Sequence, residues 1–132
     1  MISKSLKKCS IIIRTKNEER WISSCLTAVF DQTYINIEVI IVDNESTDST
    51  IAKTKKFDNI KYVNTSQYLP GDSLNKGIEA SSGEFICFLD ADDLFLKNKL
   101  FELNKTIKFN NLDVYYHNVI LKHKKSNLIS KN

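Results

Sequence analysis

The segment Asp90-Ala91-Asp92-Asp93 carries three carboxylates within four residues, directly after the apolar run 85–89. Carboxylates this close repel one another unless a cation or water relieves the repulsion. Asp90 and Asp92 supply hard oxygen donors, which suit magnesium or manganese better than zinc, and such ions are commonly held by one or two carboxylates plus substrate phosphates. The pattern therefore predicts a divalent-metal site at Asp90 and Asp92. The alternative is that Asp92 and Asp93 only cap the helix that follows.

Two further polar clusters each follow an apolar run: Arg14-Thr15-Lys16-Asn17 and Asp43-Asn44-Glu45-Ser46. Asp43 and Asn44 can accept and donate hydrogen bonds to the base or ribose of a nucleotide. Ser46 and Asp48 are more typical of turns and of the start of a helix. The second cluster is therefore a candidate nucleoside site at its first two residues.

The chain has three glycines, and their positions argue against two common nucleotide-binding folds. A dinucleotide-binding fold needs G-x-G-x-x-G after its first strand, and a Walker loop needs G-K-[ST]. Neither motif occurs. A haloacid-dehalogenase-type phosphatase would carry its paired aspartates after the first strand, whereas here they follow the fourth predicted strand. The charge of a bound diphosphate would therefore have to be met by a metal, which again points to Asp90 and Asp92.

The elements that position these clusters alternate between strand and helix patterns. Short apolar runs predict strands, most of them buried on both faces of a parallel sheet, at about 10–13, 37–42, 61–63, 84–89 and 112–121. Amphipathic spacing predicts helices after Asn17 as N-cap, over about 49–57, between Pro70 and Gly83, and through Leu96 and Ile107. This order predicts an α/β fold, an alternating β/α three-layer sandwich with a mostly parallel, Rossmann-like sheet. In such sheets ligands collect at the carboxyl ends of the strands.

Composition fits a soluble globular chain. The 132 residues are 42% hydrophobic and 27% charged, and no apolar run approaches the roughly 18–20 residues of a membrane span. Cys9, Cys25 and Cys87 are scattered and odd in number, which predicts free thiols in a reducing cytosol.

Positive charge concentrates at the two ends of the chain. Seven of the 19 basic residues lie in 1–8 and 122–132, and we expect both to be tails of a single domain over 9–121. That domain carries 12 basic against 16 acidic residues. A nucleic-acid-binding domain would place positive charge on a structured face, so we expect no nucleic-acid partner. Basic tails are typical of solvated chain ends, and they also allow a weak association with an anionic membrane surface.

Together the motifs resemble the family 2 glycosyltransferases of GT-A fold, over about 10–120. The matching segments, in order, are 10–19, Phe30-Asp31-Gln32-Thr33-Tyr34, 38–48, Leu74-Asn75-Lys76-Gly77-Ile78, 83–93 and 113–119. The resemblance implies transfer of a sugar from a UDP-sugar or another NDP-sugar to a glycan, lipid or polysaccharide acceptor. It also implies a manganese or magnesium ion that bridges the diphosphate to the Asp-x-Asp motif. The implied setting is cell-surface polysaccharide biosynthesis, in the cytoplasm or at the inner membrane surface.

Carried over residue by residue, the resemblance assigns nucleotide-sugar binding to Arg14, Thr15, Asn17, Asp43, Asn44, Asn75, Asp90, Ala91 and Asp92. Asp92, together with Asp90, would hold the metal. Relatives often have a second aspartate at the base-contacting position, where this chain has Asn44, so the identity of the nucleotide stays open.

The catalytic base is not found among these residues. Relatives place a carboxylate base in an acceptor half beyond the length of this chain, and 114–132 contains neither Asp nor Glu. Asp93 is the candidate that remains near the site. We therefore expect a truncated domain, the nucleotide-sugar-binding half of a transferase, whose exposed edge favours self-association. A non-catalytic nucleotide-sugar-binding module or remnant stays an open alternative, which turnover would distinguish.

Overall fold

The computed structural model describes residues 6–66, 69–110, 113–115, 119–121 and 129–131. The strands are β1 (Cys9–Thr15), β2 (Ile37–Asp43), β3 (Ile60–Asn64), β4 (Phe85–Asp90), β5 (Val119–Leu121) and β6 (Ile129–Lys131). The helices are α1 (Ile22–Phe30), α2 (Thr50–Thr54), α3 (Pro70–Ala80) and α4 (Lys99–Asn110). The chain divides into two compact units, Met1–Phe101 and Glu102–Asn132.

The first unit is built on a four-stranded parallel sheet with the order β3-β2-β1-β4. β1 lies between β2 and β4, and its residues Ile11, Ile12 and Ile13 are fully buried. The run 39–42 of β2 is buried in the same way. Continuous apolar runs are typical of strands that are covered on both faces. The α/β fold with a mostly parallel sheet, predicted from these runs, is confirmed.

Helix α3 packs closely on the sheet because it carries a glycine at the contact. It makes its contacts with β1, β2 and β3. A Cβ atom added at Gly77 would overlap Ile12 Cγ2 and would lie 3.2 Å from Val42 Cγ2. The glycine therefore sets how near the helix approaches, and with it the position of the first turn of α3 at the carboxyl edge of the sheet.

Helix α1 begins later than its sequence pattern predicts. Asn17 was expected to be its N-cap, but the helix starts at Ile22 and Trp21 is the N-cap residue. Asn17 instead has a φ of 53°, a left-handed conformation that asparagine tolerates well. Its Oδ1 accepts a hydrogen bond from Thr47 N at 2.8 Å. The segment between β1 and α1 is consequently a loop that is tied to the loop after β2.

The amino-terminal edge of the sheet is held by one carboxylate, that of Glu38. Ser10 Oγ and Ser82 N donate to Glu38 Oε1, and the amines of Lys8 and Lys61 lie 3.4 and 3.6 Å from Glu38 Oε2. Burial alone would raise the pKa of Glu38, but the hydrogen bonds from Ser10, Ser82 and Lys8 lower it to about 2. This cluster joins β1, β2, β3 and the segment that leads into β4.

Cys9, Cys25 and Cys87 are free thiols, as the sequence predicts. Cys9 Sγ donates to Cys87 Sγ across β1 and β4 at 3.4 Å. This hydrogen bond and burial raise the pKa of Cys9. A buried thiol that stays protonated contributes packing and is a poor nucleophile.

The second unit contains most of α4 and a short antiparallel sheet. A single strand was predicted over 112–121, and the strand described within that segment is β5, which pairs with β6. Residues 111–112, 116–118 and 122–128 lie outside the described residues. β6 falls within the segment 122–132 that was predicted to be a tail. Within the described part of the chain, no helix has the length and apolar character needed to cross a bilayer.

Candidate nucleotide-sugar site

An open cavity of about 290 Å³ lies at the carboxyl ends of β1, β2 and β4, beside the first turns of α3. Its lining residues come from the ends of these elements: Arg14, Thr15, Lys16, Glu18, Val42, Asn44, Pro70, Ser73, Asp90, Ala91 and Asp92. Six of the predicted binding residues are among them: Arg14, Thr15, Asn44, Asp90, Ala91 and Asp92. The lining does not include Asn17, Asp43, Asn75 or Asp93. The cavity therefore brings six of the predicted residues together at the carboxyl edge of the sheet, and the other four lie outside its lining.

Arg14 and Asp90 form an ion pair at the mouth of this cavity. They are direct register partners on the neighbouring strands β1 and β4. Arg14 Nη2 lies 2.9 Å from Asp90 Oδ1, and both side chains are partly open to solvent. The first carboxylate of the Asp-x-Asp motif is thus neutralised by a cation of the chain itself.

Asp92 has different surroundings. Its side chain is exposed, and within the described part of the chain its carboxylate has neither a hydrogen bond nor an ion pair. Asp93 N donates to Asp90 O at 3.0 Å and closes the turn that holds the motif. Burial raises the pKa of Asp93, and the charges of Asp92 and Asp90 raise it further. The turn therefore concentrates negative charge that the protein only partly compensates.

These carboxylates fit a divalent cation only in part. No group of three or more His, Cys, Asp or Glu residues suited to a metal occurs among the residues that the structure describes. Asp92 offers free hard oxygen donors at the cavity, and Asp90 stands beside it. Manganese and magnesium are commonly bound by one or two carboxylates while phosphate oxygens and water supply the rest. The donor set is consistent with a cation that shares its ligands with a phosphorylated substrate.

Asp43 is a structural carboxylate in this arrangement. It is 5% exposed and accepts hydrogen bonds from Thr15 Oγ1 at 2.7 Å, Ser46 N at 2.9 Å and Ser46 Oγ at 2.6 Å. Asn44 follows it, and its backbone N–H donates to Thr15 O at 2.9 Å. Asp43 thereby orients the end of β2, while the partly buried Asn44 lines the cavity.

Two lining residues that the sequence reasoning missed, Lys16 and Glu18, belong to the loop after β1. Lys16 Nζ donates to Glu45 O at 3.1 Å, and Glu18 N donates to Thr50 Oγ1 at 2.8 Å. Burial raises the pKa of Glu18, and the charges of Asp92, Asp48 and Asp90 add to this effect. A helix with Asn17 as its N-cap would have placed Glu18 in the first turn. The later start of that helix leaves it in the loop at the site.

Helix α3 contributes Pro70 and Ser73 to the cavity in place of the predicted Asn75. Ser73 is buried, whereas Asn75 is exposed. Residues two positions apart on a helix point in different directions, so only one of the two can face the sheet edge. The signal that could have found Pro70 and Ser73 is topological: a helix that follows a parallel strand starts at the carboxyl edge, where its first turns meet the ligand.

Gln32 holds the segment that follows Asp90-Ala91-Asp92-Asp93 through hydrogen bonds. Its side chain is buried at the end of α1, where Nε2 donates to Leu96 O at 2.8 Å and Oε1 accepts from Leu100 N at 3.1 Å. Thr33 N also donates to Lys97 O at 3.3 Å. These bonds hold the chain that leaves the Asp-x-Asp motif.

Comparison with known proteins gives concordant matches. A family model described as glycosyl transferase family 2 matches residues 10–132. The Escherichia coli protein WfgD, a UDP-Glc:alpha-D-GlcNAc-diphosphoundecaprenol beta-1,3-glucosyltransferase, is 37% identical over 114 residues. TarS of S. aureus, solved in complex with UDP-GlcNAc, superposes with a TM-score of 0.75 at 30% identity. The mannosyltransferase PcManGT of Pyrobaculum calidifontis, in complex with GDP-Man and Mn2+, superposes with a TM-score of 0.65 at 25% identity.

These matches cover most of this chain and a minority of each relative. They cover 83% of the chain and 44% of WfgD, 79% of the chain and 32% of the TarS structure, and 70% of the chain and 29% of the mannosyltransferase. The chain therefore spans less than half the length of each of these proteins.

Proposed function

The chain belongs to glycosyl transferase family 2, and from this premise we propose that its cavity binds a nucleotide-sugar donor together with a divalent cation. The sugar would be transferred to a glycan or lipid-linked acceptor in cell-surface polysaccharide biosynthesis, by an enzyme located in the cytoplasm or at the inner membrane surface. The observation that carries this proposal is the pairing of a free carboxylate, Asp92, with an open cavity at the carboxyl edge of a parallel sheet.

Different residues of the cavity would contact different parts of the donor. Asn44 presents an amide that can accept from and donate to a base or ribose edge. Arg14 and Lys16 supply positive charge beside the space for the diphosphate. The first turns of α3, at Pro70 and Ser73, add the positive end of a helix dipole, which favours anions. Relatives solved with UDP-GlcNAc and with GDP-Man and Mn2+ support a donor of this class.

Asp92, with Asp90 beside it, would hold a manganese or magnesium ion. The chemistry that such an ion supplies is to offset the negative charge of the departing diphosphate. Asp93 and Gln32 keep the carboxylates in place from the far side of the turn, through the backbone bond to Asp90 O and the bonds to the segment beyond it. Asp93 does not line the cavity, so it gains no support as the base for the acceptor.

Donor binding tests the proposal directly. We expect UDP or GDP to bind the chain in calorimetry when manganese is present, and chelator to abolish most of that binding. Asp92→Asn should weaken the binding about tenfold or more, because it removes the free anionic ligand. The matched control is Asp58→Asn, a carboxylate in the exposed turn before β3, which should bind like the parent. Equal binding by parent and Asp92→Asn would contradict the site.

Turnover is the separate test of transfer. The chain is incubated with a panel of nucleotide sugars, manganese and glycan or lipid-linked acceptors, and products are followed by mass spectrometry. Glycosylated acceptor that disappears in Asp92→Asn supports a transferase. Metal-dependent donor binding without any product would support the alternative of a nucleotide-sugar-binding module.

A further inference from the structure

Through its ion pair with Asp90, Arg14 places a positively charged side chain of the protein within the site. We propose that Arg14 is a positioning residue that withholds Asp90 from a free divalent cation and so makes cation binding depend on the diphosphate of the donor. This inference rests on the proposed function of the cavity. It assigns to Asp90 an arginine partner and leaves Asp92 as the anionic ligand.

The sheet itself fixes this pair. Arg14 and Asp90 face each other in the β1–β4 register, one step beyond the buried pair Ile13 and Leu89. Arg14 Nη2 reaches Asp90 Oδ1 at 2.9 Å. β1 lies in the middle of the sheet, so Arg14 is held by strands on both sides. The pair is therefore present before any ligand arrives.

The positive charge of Arg14 disfavours binding of a bare divalent cation and favours binding of a diphosphate. A guanidinium is protonated at every relevant pH, so it repels a bare divalent cation and also occupies an oxygen of Asp90. Towards a diphosphate the same group is attractive, because Arg14 has five N–H donors and the structure shows one of its nitrogens bonded to Asp90. A cation that arrives with a diphosphate brings its own negative charge and further oxygen ligands. The net effect favours joint binding of both over binding of the cation alone.

Lys16 and the two lysines of the Glu38 cluster cannot replace Arg14. Lys16 lines the same cavity, but its amine donates to the backbone carbonyl of Glu45 and neutralises no carboxylate of the motif. Lys8 and Lys61 belong to the Glu38 cluster at the opposite edge of the sheet. Lys16 therefore provides a matched control: the same unit of charge, in the same cavity, without a carboxylate to release.

The experiment measures manganese binding to the full chain by electron paramagnetic resonance, without nucleotide and with saturating UDP. In the parent we expect manganese to bind at least about tenfold more tightly with UDP, and UDP to gain the same factor from manganese, since coupling between two ligands is reciprocal. Arg14→Gln should bind manganese alone about tenfold more tightly than the parent, because a carboxylate is freed and a positive charge is removed. The coupling between manganese and UDP should fall correspondingly.

Three variants separate this mechanism from a general effect of charge or structure. Lys16→Gln should gain at most about twofold in affinity for manganese alone, the effect of one screened charge. Arg14→Lys should restore the weak affinity of the parent to within about threefold, because the positive charge is kept. The double variant Arg14→Gln with Asp90→Asn should lose the gain, because the freed carboxylate is gone. The double variant also separates this mechanism from misfolding, because a misfolded chain would keep the gain through other carboxylates that the fold now occupies.

The outcomes are distinguishable. If the parent binds UDP equally well without manganese, the metal-dependent donor site is contradicted and this inference falls with it. If Arg14→Gln binds manganese alone no more tightly than the parent, the role of Arg14 is overturned while the donor site stands. The same holds if the gain survives in the double variant. If the parent binds neither manganese nor UDP under any condition, the proposed function falls, and this inference falls with it.

Discussion

Asp43 and Asp92 each follow a strand of the same sheet, yet their surroundings give them opposite properties. Asp43 is buried and accepts three hydrogen bonds from Thr15 and Ser46. Asp92 is exposed and its carboxylate has no such donors among the described residues. A carboxylate that is saturated by the protein stabilises the fold, whereas one left open is available to a ligand.

The two aspartates should therefore separate in stability measurements made without metal. Asp43→Ala leaves the donors of Thr15 and Ser46 unsatisfied, and we expect it to lower the free energy of unfolding by about 2–4 kcal/mol. Asp92→Ala should change it by less than about 0.5 kcal/mol, since an exposed side chain without partners is removed. Urea denaturation followed by circular dichroism measures both. Equal losses in the two variants would contradict this division of roles.

Glu38 predicts a dependence of stability on acid. Its pKa in the folded chain is about 2, below the ordinary value of 4.5. A carboxyl with a lowered pKa contributes stability that is fully present above pH 4.5 and is lost as the pH falls towards 2. The free energy of unfolding of the parent should exceed that of Glu38→Gln by roughly 1–2 kcal/mol at pH 6, allowing for screening by water. At pH 3 the difference should be smaller.

Urea denaturation at the two pH values measures this difference. Glu79→Gln, which changes an exposed glutamate of α3, is the control and should match the parent at both pH values. A difference for Glu38→Gln that stays constant between pH 6 and pH 3 would show that its carboxylate is not the source.

At the level of single residues, the sequence could locate Asp43, Asn44, Asp90 and Asp92 because each follows an apolar run. The sequence does not show which of these side chains is left without hydrogen-bond partners in the folded chain. That depends on partners from other parts of the chain, such as Thr15 for Asp43, which is 28 positions away. The pairing of Arg14 with Asp90 spans 76 positions and follows from strand register, which the sequence pattern does not specify.

Among the elements, the packing of α3 on the sheet depends on a glycine, Gly77, at its contact with β1. Gly77→Ala adds a Cβ that would overlap Ile12, and we expect a net loss of about 1–3 kcal/mol in the free energy of unfolding, because overpacking outweighs the better helix propensity of alanine. The variant should also weaken binding of UDP with manganese, since displacement of α3 moves Pro70 and Ser73.

Gly71→Ala is the matched control in the same helix. No atom lies within 4 Å of a Cβ added there, so the substitution should be neutral or should stabilise the chain by up to about 1 kcal/mol. Thermal melts of both variants give the comparison. A Gly77→Ala chain as stable as Gly71→Ala would show that α3 can shift without loss.

The elements were predictable where a single periodicity decided them. β1, β2 and β4 follow from apolar runs, and the stripe of α1 follows from its spacing. The start of α1 was misplaced because asparagine is a common N-cap residue. In the structure, the side-chain amide oxygen of Asn17 instead accepts a hydrogen bond from Thr47 of another loop. The predicted strand 112–121 shows the same limit, because its described part pairs with residues 129–131 and local pattern does not reveal a partner strand.

For the whole first unit, the strand order predicts the sequence of folding events. β1 can pair with β2 after a short connection, but it pairs with β4 only after the chain from Thr15 to Phe85 has been arranged. Closing the longer loop costs more entropy, so we expect the β1–β2 contact in the transition state and the β1–β4 contact later.

Folding kinetics can test this order. Ile40→Val in β2 should mainly slow folding, with a φ-value above about 0.5, whereas Leu89→Ala in β4 should mainly speed unfolding, with a φ-value below about 0.3. Stopped-flow refolding in urea measures both. A higher φ-value at Leu89 than at Ile40 would reverse the proposed order.

The same strand order has a consequence while the chain is being synthesised. β1 leaves the ribosome early, and one of its edges stays open until β4 has been made and has docked. An open edge flanked by isoleucines is a template for pairing with other chains. Asp90 and Asp92 come at the end of that last strand, so the cavity does not exist until the edge is closed. Premature termination before residue 90 would therefore produce an aggregation-prone chain, and no partial donor site.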